Sequence, residues 1–162
     1  MIERTLVLVK PDGVQRGLIG KIITRFEDVG LKIIAMKMVW ADETLAAKHY
    51  FDVKERYDER IFNNLSQYLR EGPVVAMVLE GIHAVKQVRK MTGSTYPDES
   101  TPGTIRGDFA HISKAYANEN NRRVGNLLHS SAKLEEAKYE IGIWFNDKEI
   151  HAYKTVHEDN VR

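Results

Sequence analysis

Apolar residues fall along this chain in two rhythms. Short unbroken runs rich in β-branched side chains alternate with longer stretches in which apolar residues recur every three or four positions. "TLVLVK" predicts a strand over 5–10, because an apolar run this short fits a strand covered on both faces. "PDG" predicts a turn at 11–13, since proline fixes φ and glycine permits φ > 0. In "LIGKIITRFEDVG" Leu18, Ile19, Ile22, Ile23, Phe26 and Val29 share one helical face, with Gly30 as the stop. "LKIIAMKMVW" reads as a second strand. Asp42 is the N-cap expected for a helix through Leu45, Ala46 and His49. A further helix is predicted over 60–70, a third strand over 74–80, and a helix presenting Val85, Val88 and Met91 that closes at Gly93. "NLLH" is the fourth strand, and alternation there puts Leu127 and His129 on one face and Leu128 on the other. Leu134, Ala137, Ile141 and Trp144 mark a last amphipathic helix. The polar tail after Ile150 is expected to fray or pack peripherally.

Four strands with helices between them predict an α/β sandwich, helices lying on a four-stranded sheet. The length, 162 residues without a linker or repeat, suits a single domain over 1–162. "STYPDESTPGTIRGD" breaks both rhythms, and Pro97, Pro102, Gly103 and Gly107 predict a loop of definite shape. No run of eighteen apolar residues offers a membrane span, and the N-terminus lacks a secretory pattern. The absence of cysteine is compatible with the cytoplasm, the expected location. Twenty-four Lys and Arg against 23 Asp and Glu leave a charge of +1, which gives no global reason to expect nucleic-acid binding.

The chemistry is less legible. "GVQRGLIGK" fails the phosphate-loop pattern, because Gln15, Leu18 and Ile19 stand where it wants glycine or small residues. The histidines lack HxH or HxxxH spacing, so no protein-built metal site is expected. His129 has two readings. Beside apolar residues, a histidine is by default a hydrogen-bonded structural residue; with one ring nitrogen held by an acceptor, it is a nucleophile. Glu140 is correspondingly a solvated helix residue or that acceptor. Arg89, Thr95 and Arg106 flank or occupy the rigid loop, where arginine forks and a hydroxyl suit phosphate oxygens, or they are surface residues and a turn threonine. Lys10, at the end of the first strand, is a tethered point charge or a solvated strand end.

"ERTLVLVKPDGVQRGLIG", "GPVVAMVLEG", "VRKMTG", "PGTIRGDF", "NLLHSS" and "EIGIWF" occur in one order from Glu3 to about 149. Together they resemble the nucleoside diphosphate kinase family. The resemblance implies a ferredoxin-like α/β sandwich (α+β), a four-stranded antiparallel sheet covered by helices. It implies reversible transfer of a γ-phosphate from a nucleoside triphosphate to a diphosphate by a ping-pong route through a phosphohistidine on His129, which maintains NTP and dNTP pools. In the matching positions Glu140 holds the far ring nitrogen and Ser131 supports that carboxylate. Tyr50 donates near the transferred group, and Lys10 lies near the γ-phosphate and ribose. Arg89, Thr95 and Arg106 grip phosphates, and Asn126 binds the ribose. The implied cofactor is Mg²⁺, carried by the nucleotide phosphates rather than by protein ligands. The implied partners are nucleoside di- and triphosphates and further copies of the chain, a hexamer being favoured over a tetramer or dimer.

Three departures from the family pattern shape the expectations. "KERYDERIFNNL" is longer than usual, so base stacking falls to Phe62 or is lost to Ile61. "AHISKAYANENNRRVG" lengthens the connection before Asn126 and is expected to form an extra hairpin or loop. Ala132 replaces the usual aspartate, leaving Ser131 as the evident N-cap of the last helix. With no buried amide code for a base edge in view, broad base tolerance is expected. The competing reading is a ferredoxin-like module that binds nucleotide or RNA and has lost catalysis.

Overall fold

In the computed structural model, which describes residues 1–156 and 158–161, strands and helices follow in the order β1 (Ile2–Val9), α1 (Pro11–Gln15), α2 (Ile19–Asp28), β2 (Lys32–Val39), α3 (Glu43–His49), α4 (Val53–Arg56), α5 (Glu59–Arg70), β3 (Val74–Ile82), α6 (Ala84–Thr92), α7 (Ile105–Phe109), α8 (Lys114–Glu119), β4 (Leu128–Ser130), α9 (Leu134–Trp144) and α10 (Glu158–Val161). The strands form one antiparallel sheet ordered β2-β3-β1-β4, the ferredoxin-like order. This is an α+β fold, as the resemblance implied.

Alternation along the two central strands builds both layers. Leu6 and Leu8 of β1, with Val74, Ala76 and Val78 of β3, face a core that includes Tyr50, Leu69, Trp144 and Phe145. Val7 and Val9, with Val75, Met77 and Leu79, face Ile22, Phe26, Val88 and Ile105. Burial on both faces is why these strands read as continuous apolar runs rather than alternating ones.

Several local expectations change. The "PDG" segment is the first turn of α1, with Pro11 at the position where a missing N–H costs nothing. Gly13 is still required, because a Cβ there would sit 2.8 Å from the Leu127 carbonyl oxygen. The rigid loop is real but partly helical: a 3₁₀ turn spans Pro97–Glu99 and α7 follows, capped by Thr104. Arg25 and Asp108 pair at 2.7 Å, tying this loop to α2. The lengthened connection forms α8, capped by Ser113, rather than a hairpin. Asp42 does cap α3, accepting from the Leu45 N–H at 2.7 Å. The described part of the tail after Ile150 takes the second of its two expected courses and packs peripherally: the His151 N–H donates to the Ile34 carbonyl, and Lys32 donates to Glu158, which lays it along β2.

The fourth strand corrects the predicted facing. Leu127 lies outside β4 with φ +68°, a left-handed conformation costly for leucine. It is held there by its N–H donating to Asp12 Oδ2 at 3.0 Å and its carbonyl accepting from the Lys10 N–H at 2.8 Å. The kink breaks the alternation, so Leu127 packs in the same cluster as Leu128. His129 stands alone on the opposite face, paired across from Leu8 and toward α9.

Candidate active site

Two polar networks meet at the segment from Asn126 to Ser131. At its far end, His129 Nε2 lies 2.8 Å from Glu140 Oε1. The other carboxylate oxygen accepts from the Ser131 hydroxyl at 2.5 Å, and the Ser131 oxygen accepts from the Leu6 N–H at 3.2 Å. The chain of donors fixes the protons. The strand N–H occupies a serine lone pair, so the serine hydrogen goes to Glu140, and the carboxylate needs a hydrogen from the imidazole. Nε2 therefore carries the proton and Nδ1 keeps its lone pair. The His129 side chain is 22% exposed and that of Glu140 8%, so the imidazole is reachable while the carboxylate is sealed.

Ser131 is therefore not the helix cap expected of it. Lys133 precedes α9 without a side-chain cap, and the Ala132 N–H is instead met by the Glu136 carboxylate at 3.0 Å.

The near end is cationic. Lys10 Nζ donates to Asn126 Oδ1 at 2.9 Å, and Asn126 Nδ2 donates to the Thr95 carbonyl at 3.0 Å. The buried Arg106 guanidinium donates to the carbonyls of Asn126, Leu128, Gly93 and Ser94. It thus clamps the rigid loop to β4 and keeps one N–H of its fork free of these bonds. Gly93 suits this junction: its φ is +91° and a side chain there would run into Thr104. Burial, then the Arg106 charge, lowers the Lys10 ammonium to about 7, with Asp12 opposing. Burial, then Arg89, lowers Arg106 to about 10. Arg89 itself is exposed on α6 and reaches the Ser130 carbonyl at 3.4 Å.

Sequence reasoning missed four residues that the fold brings here. The His49 ring stacks edge-on against His129 with centroids 4.5 Å apart, and the Trp144 indole N–H donates to its Nδ1 at 3.3 Å. Burial, then His129, pushes His49 well below its ordinary value, so it stays neutral. Tyr68 of α5 accepts from the Asn126 N–H, and Asp12 binds the Leu127 N–H. His49 and Tyr68 come from helices distant in sequence, while Asp12 and Trp144 lie near Lys10 and Glu140 without a motif that marks them.

Tyr50 is buried against His49 and, with His129 and Glu140, lines a cavity of about 500 Å³. Burial, then Glu140, raises its phenol, which stays protonated. Phe62 lies outside this group: it packs against the core on α5 with the Lys54 ammonium 4.6 Å over its ring. Ile61 is likewise packed against that core.

Among the described residues, His49, His129 and Glu140 place metal-binding atoms within 4.8 Å of one another. The indole hydrogen already occupies His49 Nδ1, and His129 and Glu140 already bind each other. Lys10 and Arg106 bring two buried cations here, with the Asp12 carboxylate as the opposing charge. That surface suits the anionic phosphates of a nucleotide bringing its own Mg²⁺, a hard ion that prefers oxygen ligands.

An imidazole held by a buried carboxylate, on the same short segment as a clamp of buried cations, is an arrangement that fits phosphoryl transfer. The sequence model of the family described as nucleoside diphosphate kinase matches residues 3–150. A nucleoside diphosphate kinase from Borreliella burgdorferi is 47% identical over 156 residues, covering 95% of this chain and 93% of that protein. One from Pyrococcus horikoshii is 49% identical over 152 residues, covering 93% and 90%. A solved structure of the Borrelia burgdorferi enzyme, a transition-state mimic with bound vanadate and ADP, superposes with a TM-score of 0.93 at 46% identity, covering 97% of this chain and 95% of that one. A halophilic enzyme from Halobacterium salinarum in complex with CDP gives 0.86 at 41% identity, covering 100% and 99%. The chain belongs to the nucleoside diphosphate kinase family and is an enzyme of nucleotide phosphotransfer.

Proposed function

We propose that this chain, acting as one domain over 1–162, transfers the γ-phosphate of a nucleoside triphosphate to a diphosphate through a phosphohistidine on His129. The observation that carries the reading is the 2.8 Å contact between His129 Nε2 and a Glu140 carboxylate already held by Ser131, which assigns the ring proton to Nε2 and leaves the Nδ1 lone pair for attack. In the first half-reaction Nδ1 forms a bond to the γ-phosphorus while the bond to the β–γ bridging oxygen breaks. That electron pair leaves on the diphosphate. The ring becomes cationic, and Glu140 stabilises it through the Nε2 proton. A second diphosphate then attacks the phosphohistidine, reversing these movements.

Lys10, Arg89, Thr95 and Arg106 hold the phosphates, Asn126 the ribose, and the Tyr50 hydroxyl donates near the transferred group. Mg²⁺ arrives with the nucleotide and neutralises phosphate charge. The base rests on apolar surface, Phe62 or Ile61, which makes acceptors of different bases comparable substrates. The enzyme works in the cytoplasm on NTP and dNTP pools, as a homo-oligomer, a hexamer before a tetramer or dimer.

Incubation with γ-labelled ATP tests the reading. Acid-labile, base-stable label on the wild-type chain, discharged by a diphosphate, is the expected result. A chain that binds ATP yet never takes up label is instead a nucleotide-binding module.

A further inference from the structure

Tyr68 meets two cations with one ring. Lys10 Nζ lies 4.8 Å from its centroid and the Arg123 guanidinium 4.5 Å. Its hydroxyl accepts from the Asn126 N–H at 3.2 Å. Burial and the adjacent Asp12 carboxylate raise the phenol far above its usual range, so it stays neutral. Lys10 and Asn126 also bind each other, which closes a triangle around the aromatic side chain. Arg123 is different in kind. Its side chain is 46% exposed and ion-paired with Glu71, one helical turn beyond Tyr68.

We propose that Tyr68 is a positioning residue for nucleotide binding: its ring stabilises the charged form of Lys10, its hydroxyl sets the backbone of Asn126, and through the shared ring the surface residue Arg123 bears on both. This rests on the reading of Lys10 and Asn126 as nucleotide ligands. The ring's negative π-face attracts a desolvated ammonium at this distance, and it adds to the Asp12 carboxylate, which opposes burial, Arg106 and Arg123 in setting the charge of Lys10. The same ring offers its face to Arg123, whose like charge works against Lys10. The two neighbours therefore push the Lys10 proton affinity in opposite directions, the ring upward and the arginine downward. Removing each gives shifts of opposite sign, which a purely structural role for Tyr68 does not produce.

The test follows the Lys10 titration by NMR in protein carrying ¹³C-labelled lysine, its signal assigned with Lys10→Gln, alongside kcat and KM for ADP and GDP across pH. Tyr68→Leu is expected to lower the Lys10 titration by about one pH unit, the size of a desolvated cation–π contact. It should raise KM about tenfold while kcat stays within about threefold. Tyr68→Phe keeps the π-face, so the titration holds and KM rises only a few-fold. Arg123→Leu moves the titration upward by a few tenths of a unit. A folded Tyr68→Leu with an unmoved titration overturns the proposal. If that variant does not fold, an Arg123→Leu protein whose Lys10 titrates unchanged, or lower, overturns it equally. The NMR titration needs no turnover. A wild-type chain that transfers no phosphate therefore sinks the functional reading separately, while the titration still decides the coupling.

Discussion

Asn126 and Ser131 stand at opposite ends of the segment that carries His129, and opposite chemistries hold them. The Asn126 end is gripped by cations: Lys10 on its side chain, Arg106 on its carbonyl. The Ser131 end is gripped by a carboxylate whose two oxygens both receive hydrogens. At the first end burial, and after it the neighbouring arginines, lowers Lys10 to about 7 and Arg106 to about 10, with Asp12 opposing both. A buried cation without a full complement of counter-charge is expensive in the free protein and becomes favourable when a polyanion arrives. At the second end both oxygens of Glu140 have partners. A carboxylate satisfied this completely is a positioning device, and its one adjustable duty is to steady charge appearing on the ring it holds. Under the proposed function, one end binds and the other reacts.

The sharpest way to break that division is His129→Ala. Transfer should fall by at least about a thousandfold, since loss of a nucleophile removes the covalent route, while circular dichroism and nucleotide affinity stay near wild type. A folded variant with near-native turnover places the nucleophile elsewhere. Glu140→Gln keeps the shape and an acceptor but removes the charge. Single-turnover phosphorylation by ATP should slow by about tenfold to a hundredfold, the value of a charge-assisted hydrogen bond, with affinity unchanged. A weakened affinity at an unchanged rate would move Glu140 to the binding end.

The binding end is tested by pH. Below about 7 Lys10 is an ammonium and adds attraction for phosphate; as pH rises through that value the free enzyme loses it. kcat/KM should therefore fall on the alkaline side, by roughly tenfold in all. A flat profile from pH 6 to 9 contradicts a titrating Lys10 at the phosphates. Ser131→Ala is the mildest probe. It leaves the Leu6 N–H and one Glu140 oxygen without a partner, which should cost about 1–3 kcal/mol in denaturant unfolding and a few-fold in rate. A larger loss in KM than in kcat would blur the line between the two ends.

The frame of the molecule was readable before any coordinates. Val7, Val9, Met77 and Leu79 are buried on one side of the sheet and Leu6, Leu8 and Ala76 on the other, so the strands announced themselves as apolar runs. The short helices α1, α4, α7 and α8 were missed because four to six residues are too few to show a period. At the site, His129 and Glu140 gained their pairing from the family resemblance rather than from spacing. Leu127 was placed on the wrong face because a strand pattern carries no sign of a left-handed residue; the tertiary bonds from Asp12 and Lys10 impose it. His49 and Tyr68 look like ordinary residues of amphipathic helices until packing brings them together.

The central place of β1 has a consequence for how the protein comes into being. That strand precedes the other three along the chain, yet it lies between β3 and β4 and can finish its ladder only when both exist. Where β1 meets β4, bonds at the margins of the pair join Lys10 to Asn126 and Leu6 to Ser131, across 116 and 125 residues of chain. Loops of that length close late, after local helices have formed. The candidate site is thus a seam between stretches far apart in sequence. Until β4 docks, the β2-β3-β1 ladder can stand but the Lys10–Asn126 and Leu6–Ser131 bonds cannot, so the site is completed by the same step that closes the sheet.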